Sequence, residues 1–415
     1  MTAVPTEHEL FKSQNIRVRN RTGRIWRGFF LAATIFSISM LVLLLFNIIN
    51  GLAGYVAYAG RVDEATLAVE GVPLEDQSKE QLVALLQSEL SSGAYNKLDN
   101  EQPFAERSRN SVYQLVIERI VRPEVIDTWN LWESLTQADE IRASVASEHP
   151  EAKLRFTFWL NSNFVTRSQS SDPFTAGIRT AILGSLWTIL FTILTALPLG
   201  VGAAVYLEEY AADNRLNRLI QTNINNLAGV PSIVYGILGL AILVRGLEPL
   251  TSGTIFGYGD PTTANGRTVL SAGMTLGLLV LPILIINAQE AIRAVPQSLR
   301  KGSYALGATQ WQTVRAHVLP NAMSGILTGT ILAVSRAFGE TAPLVVVGAS
   351  TAINFDPSSP FSKFTTLPIQ IYQWSARPQD EFRALAAAAI LVLLILLLAL
   401  NATAILLRNR YSQRY

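Results

Sequence analysis

The 415-residue sequence predicts an all-α integral membrane protein: six crossing helices with a mainly helical segment outside the membrane. Three observations predict it. Six apolar runs are each long enough to cross a bilayer, which takes about 20 residues of helix. Hydrophobic residues make up 49% of the chain against 15% charged. The basic residues collect in segments that a six-span topology puts on one side. A net charge of +2 excludes a broadly basic nucleic-acid binder, and the absence of cysteine excludes disulfides and cysteine metal sites.

Residues 1–27 form a basic segment with Lys12, Arg17, Arg19, Arg21, Arg24 and Arg27. The first apolar run, 28–52, lies in a span assigned to 28–54. It exceeds the roughly 7–15 residues of a signal-peptide core, so it reads as a retained helix. Residues 55–172 are polar and external on this topology. Leu82, Leu85, Leu86 and Leu90 form one helical stripe, and Val112, Leu115, Val116 and Ile120 a second, ended by Pro123. A third helix is expected over 128–145. This insert reads either as a cap over the external mouth or as a docking surface for an external partner. It holds no catalytic constellation, and its one histidine is His149.

The membrane core occupies 173–415, with runs at 181–207, 226–244, 268–288, about 322–349 and 384–407. The third, fourth and fifth spans carry Gly, Pro and small residues, which let helices pack closely in lipid. The first and last are plain Leu, Ile, Ala and Val, which suits lipid-facing positions. Arg408, Arg410 and Arg414 follow the last span, Arg215 and Arg218 lie between the second and third, and Arg293, Arg300, Lys301 and Arg315 between the fourth and fifth. The positive-inside rule puts all of these, and both ends, in the cytoplasm.

The cytoplasmic link 290–320 is neither a span nor a polar tail. A helix over Ser298 to Leu306, a bend at Gly307, and a second short helix over 309–319 are expected, with Pro320 opening the fifth span. Leu299, Tyr304, Leu306 and Trp311 would form an apolar face. An ordinary amphipathic surface segment would have the same pattern.

Arg336 and Glu340 stand in the fifth run, four residues apart and thus on one helical face. Each charge at mid-bilayer costs roughly 2.5–3.5 kcal/mol, while such a pair in water returns only about 0.2–0.5 kcal/mol. The expense points to function: a guanidinium can fork two N–H groups to an oxyanion. Glu340 would hold Arg336 between anions or accept a proton. The alternative is a structural staple at a bend marked by Gly339 and Pro343. Arg179 and Arg245, at outer ends of the second and third spans, are further anion-attracting candidates, although snorkelling anchors would look the same.

The link resembles the cytoplasmic coupling loop of ABC importer permeases: Gly307, Leu319 and Pro320 fit its spacing. Lys301, Gly302 and Ser303 stand where Glu-Ala-Ala is usual, and His317 where Ile is usual. The stretch "SRAFGETAPL" (335–344), with 226–243, 281–314 and 365–394, is similar to the PstA family of phosphate-transport permeases; 158–166 resembles the segment before that family's second span. The stretch 60–155 is not covered. The resemblance implies a MetI-like permease fold, a homologous permease partner (PstC), an ATPase dimer (PstB) that binds ATP and Mg, and an external phosphate-binding protein (PstS), in the bacterial plasma membrane. It implies that span charges such as Arg336 and Glu340 serve phosphate transfer, and that Ser298, Leu299, Tyr304, Leu306, Gly307, Ala308 and Trp311 belong to the loop seated on the ATPase. No G-x-x-x-x-G-K-[ST] loop occurs in the chain, so no enzymatic ATP hydrolysis is expected of it, and no cofactor of its own. Two other readings stay open: a permease for another oxyanion (sulfate, molybdate, phosphonate), and a membrane scaffold or sensor working through the insert.

Overall fold

The computed structural model describes residues 14–60, 62, 64–68, 72–101, 103–121, 123–170, 172–258, 266–349, 353 and 356–412. Lys12 and Arg414 of the basic segments lie outside them. The long apolar runs form helices because a chain in lipid must satisfy its backbone internally. α1 is Gln14–Asn50. It leads through a two-residue turn, Gly51 and Leu52, into a strand, β1, Ala53–Gly60.

The insert is largely helical, and the structure adds a sheet to it. β2 (Pro123–Thr128) and β3 (Lys153–Phe158) flank β1, both antiparallel, with Val56 opposite Thr128 on one side and Arg155 on the other. α2 (Lys79–Glu89) starts at Ser78, whose hydroxyl accepts from Gln81 N while the Gln81 side chain accepts from Ser78 N. α3 (Arg109–Val116) ends in one wide turn, Ile117–Val121, just before Pro123. Leu82, Leu86, Val112 and Val116 are fully buried against one another, so the insert has a core of its own. The expected third helix is two, α4 (Leu131–Thr136) and α5 (Ala138–Glu148), separated at Gln137. Asn130 and Glu133 cap α4 reciprocally, which starts a helix there and ends the extended chain at Thr128.

The membrane core begins with α6 (Arg179–Val205), which continues through a wide turn to Tyr210. α7 (Arg215–Leu227) and α8 (Ser232–Gly239, extended to Gly246) follow. α9 is Val269–Arg293, capped by Thr268. In the link lies α10 (Gln297–Ala305). α11 (Leu319–Gly339), α12 (Ala342–Val347), α13 (Leu367–Ser375) and α14 (Asp380–Ser412) complete the chain. Among the described residues five helices are long and apolar enough to cross a membrane, and the bent pair α7–α8 makes a sixth candidate.

α9 is the centre of the bundle: 67% of its apolar window is buried, against 0% for α1 and 6% for α14. The first and last spans thus lie at the outside of this chain's bundle. Two boundaries differ from expectation. The third span does not run straight from residue 226: the chain turns by 107° between Leu227 and Ser232. The second short helix of the link is not separate either. It is continuous with the fifth span over Gln310–Gly339, through one wide turn at Val314–Val318 that lies just ahead of Pro320, where the ring removes a helical hydrogen bond and would crowd the preceding turn.

Candidate translocation site

Neighbouring helices fix the height of the site. Gly329 of α11 faces Asn287 of α9, and Gly325 faces Ala291, so the helices are antiparallel and in close contact. Carried along that register, Arg336 comes level with Val280, near the midpoint of α9. Gly239 of α8 faces Thr275 of α9 in the same antiparallel sense, which puts the bend before Ser232 near the level of Pro282. Two helix breaks therefore lie at mid-height, one before α8 and one between α11 and α12. They are joined: a Cβ at Gly236 would come 2.6 Å from Pro343 Cα.

Irregular backbone at membrane depth persists only where protein buries it or where it lines a wet cavity. Here some freed groups find partners. The Tyr235 hydroxyl donates to Leu227 O at 2.7 Å across the first break. Pro231 and Pro343 have no N–H to satisfy. Gln221 of α7 and Gln289 of α9 exchange amide bonds of 2.8 and 3.2 Å.

Arg336 sits in the last turn of α11, and Glu340 caps it with an extended ψ of 123°. The two are therefore not on one continuous helical face, as the four-residue spacing suggests; the helix ends between them. A cation in the last turn is favoured by the helix dipole. Arg336 Nε is 3.4 Å from Glu340 Oε1, and the side chains are 44% and 20% exposed. That contact is long for a charged hydrogen bond. It leaves the guanidinium accessible, with no other ion-pair partner among the described residues. Ser335 donates to Asn401 Oδ1 at 2.7 Å, which holds this turn of α11 against α14.

The other two arginines do not join the pair. Arg179, the first residue of α6, is held by Asp356 at 2.9 Å and donates to Thr166 O at 2.8 Å. Thr180 donates to the same Asp356 at 2.9 Å, so Arg179 acts as a clip between α6 and the segment before α13. Arg245 lies in the wide turn that ends the third span, exposed and without an ion-pair partner among the described residues. Outside the spans, Asp172 sits where burial pushes its carboxyl above the usual range, although Phe174 N and Thr175 hydrogen-bond to it.

The link turns as expected. Gly307 has φ +82°, the left-handed region that glycine enters without a Cβ penalty. Leu306 is 91% exposed and Trp311 56%, with Leu299 and Tyr304 also exposed. Ser298 is exposed and Ala308 half-buried. Ser303 is buried and shares a 2.9 Å hydroxyl bond with Thr313, which ties the two halves of the turn together.

Sequence reasoning missed Glu208 and Glu209, in the wide turn after α6. Glu209 accepts from Arg300 at 2.7 Å, and Glu208 from Arg293 at 2.5 Å. The signal was present as "YLEEY", two adjacent acids ending an apolar run opposite a basic link.

Comparison with known proteins gives this geometry a family. Residues 196–413 match the family described as binding-protein-dependent transport system inner membrane component. A probable ABC transporter permease protein of Bacillus subtilis, YqgI, is 34% identical over 52% of this chain and 67% of its own length. The phosphate transport system permease protein PstA of Mycobacterium leprae is 34% identical over 55% of this chain and 68% of its own. The phosphate transport system permease protein PstC 2 of Mycobacterium tuberculosis is 32% identical over 46% and 63%. With more than half its length in that match, and the broken spans and link already described, the chain belongs to the binding-protein-dependent transport system inner membrane components and is a multi-pass permease subunit of an ABC importer.

Proposed function

We propose that this permease subunit carries inorganic phosphate inward by alternating access, driven by a partner ATPase. The observation that carries the reading is Arg336: a half-exposed guanidinium at mid-height of the bundle, beside a helix break, held only by a long contact to Glu340. Relatives named as phosphate permeases support the choice of anion. An arginine fork matches phosphate geometry and stays charged at every working pH. Glu340 is close enough to hold the guanidinium when no anion is present and to repel a second anion.

In this reading a homologous permease of the PstC kind completes the path. An ATPase dimer of the PstB kind binds ATP and Mg and seats the exposed Leu306–Trp311 ridge. A binding protein of the PstS kind delivers phosphate on the insert side. The basic segments and the link face the cytoplasm, and so do both ends. Arg179 is assigned a structural clip and Arg245 a weak attractor at the outer end.

The test is uptake of phosphate, sulfate and molybdate by reconstituted complex, wild type against Arg336→Gln, with ATP hydrolysis read in the same vesicles. Phosphate uptake should dominate and collapse in the variant while hydrolysis persists. Equal uptake of all three oxyanions would overturn the phosphate assignment. Unchanged uptake in the variant would return Arg336 to a structural role.

A further inference from the structure

The end of α6 and the link are joined by more than proximity. Glu209 Oε1 accepts from Arg300 Nη2 at 2.7 Å and from Nε at 3.0 Å. These side chains are 6% and 16% exposed, the most enclosed ion pair among the described residues. Arg300 Nη1 also donates to Val295 O at 2.6 Å, and Nη2 to Ile292 O at 2.8 Å. Those carbonyls lie where α9 ends, and Ile292 O accepts there from Val295 N at 3.2 Å as well. The Gln310 side chain donates to the backbone carbonyl of Glu209. One guanidinium, carried by α10 in the link, therefore reaches both the end of α6 and the end of α9. A second pair, Glu208 with Arg293, lies beside it with Arg293 67% exposed.

We infer that Glu209 and Arg300 are positioning residues for transport, which lock the link and the ends of α6 and α9 into one body. The inference rests on the importer reading above, in which the link receives the ATPase's motion. The guanidinium is planar and its donors are fixed, so a bidentate pair resists rotation as well as separation. Its enclosure keeps salt from screening it. Without the pair, the link would be tied to the two spans chiefly by the Gln310 bond to the Glu209 carbonyl and by the apolar cluster that Val314 and Val318 share with Val205 and Ile292, which is non-directional and resists rotation less than a fork does. A push on the Leu306–Trp311 ridge would then turn the link without moving the two spans behind it.

The test uses the full complex in vesicles, with phosphate moved per ATP hydrolysed as readout, normalised to assembled complex. Glu209→Gln and Arg300→Lys should each lower that ratio by about tenfold while hydrolysis stays within about twofold of wild type. Arg300→Lys keeps the charge and loses the fork, so it separates geometry from charge. An unchanged ratio with less assembled complex would overturn the proposal in favour of a plain stabilising contact. A second measurement leaves the inner pair intact: Glu208→Cys with Arg293→Cys, in a chain that has no other cysteine, joined by a short bis-maleimide linker to which the two thiols add. One rigid body predicts that linking leaves transport and hydrolysis unchanged; arrest on linking would overturn it. Wild-type vesicles that hydrolyse ATP but take up no phosphate would sink the phosphate reading instead. The clamp would then be judged by whether hydrolysis continues in the linked complex.

Discussion

Gly236 and Pro343 hold the two broken spans together at mid-height, so close that a Cβ at Gly236 would lie 2.6 Å from Pro343 Cα and 3.0 Å from its carbonyl oxygen. Both contacts are with backbone, which no rotamer change relieves. Gly236→Ala should therefore force α8 and α12 apart, at about 1–3 kcal/mol of overpacking. The expected outcome is loss of uptake with the complex still assembled, measured as transport per complex. Full transport in this variant would show that the two breaks are not jointly required.

The geometry of the Arg336 fork can be separated from its charge. Arg336→Lys keeps a cation but presents a point charge where a planar fork stood. A charged hydrogen bond is worth about 1.5–3 kcal/mol, so losing one should weaken phosphate handling by roughly 10- to 100-fold. Uptake at saturating and limiting phosphate would show this as a raised half-saturation concentration.

Leu306, at the tip of the exposed ridge, is 91% exposed and buries little apolar surface. Leu306→Asp should change thermal stability by less than about 0.5 kcal/mol, as surface substitutions do. If the ridge is the ATPase seat, the same change should weaken co-purification of the ATPase strongly, by about 2 kcal/mol or roughly 30-fold. Retained co-purification would place the seat elsewhere on the link.

The insert's own core makes a stability prediction. Leu86 is fully buried among Leu82, Val112 and Val116. Leu86→Ala should cost about 2–5 kcal/mol within the insert. Limited proteolysis should then cut near α2 and α3 while the membrane core stays protected. Cleavage throughout the chain would mean that insert and bundle unfold as one unit.

Asp172 links stability to pH. Its folded carboxyl titrates above the ordinary 3.8, so the folded state binds the proton more tightly than the unfolded one. Stability should fall as pH rises from 3.8 through the raised value, then level off. Asp172→Asn should flatten that slope, as read by melting temperature against pH.

Much of this molecule was legible because lipid leaves the backbone few choices. Runs such as 268–288 and 384–407 are helices for the same reason that they are apolar. The stripes at Leu82 and Leu86 and at Val112 and Val116 were read correctly because burial follows the helical period. β1 was not legible: "AGYVAYAG" is rich in Ala and Gly, poor strand formers, and it follows a span directly. It is a strand because two distant segments pair with it. The site was half legible. Arg336 and Glu340 stood out by their cost in lipid, but the helix end between them did not.

Composition and period thus settled the crossing helices and the odd charges among them. Those are local properties, set by each residue's free energy in water or lipid. The tertiary structure alone decided that two spans break at one level, that Gly236 meets Pro343 there, and that Glu209 reaches Arg300 across 91 residues of chain. Such contacts arise between segments far apart in sequence. Their energy depends on a shared geometry that no single segment encodes.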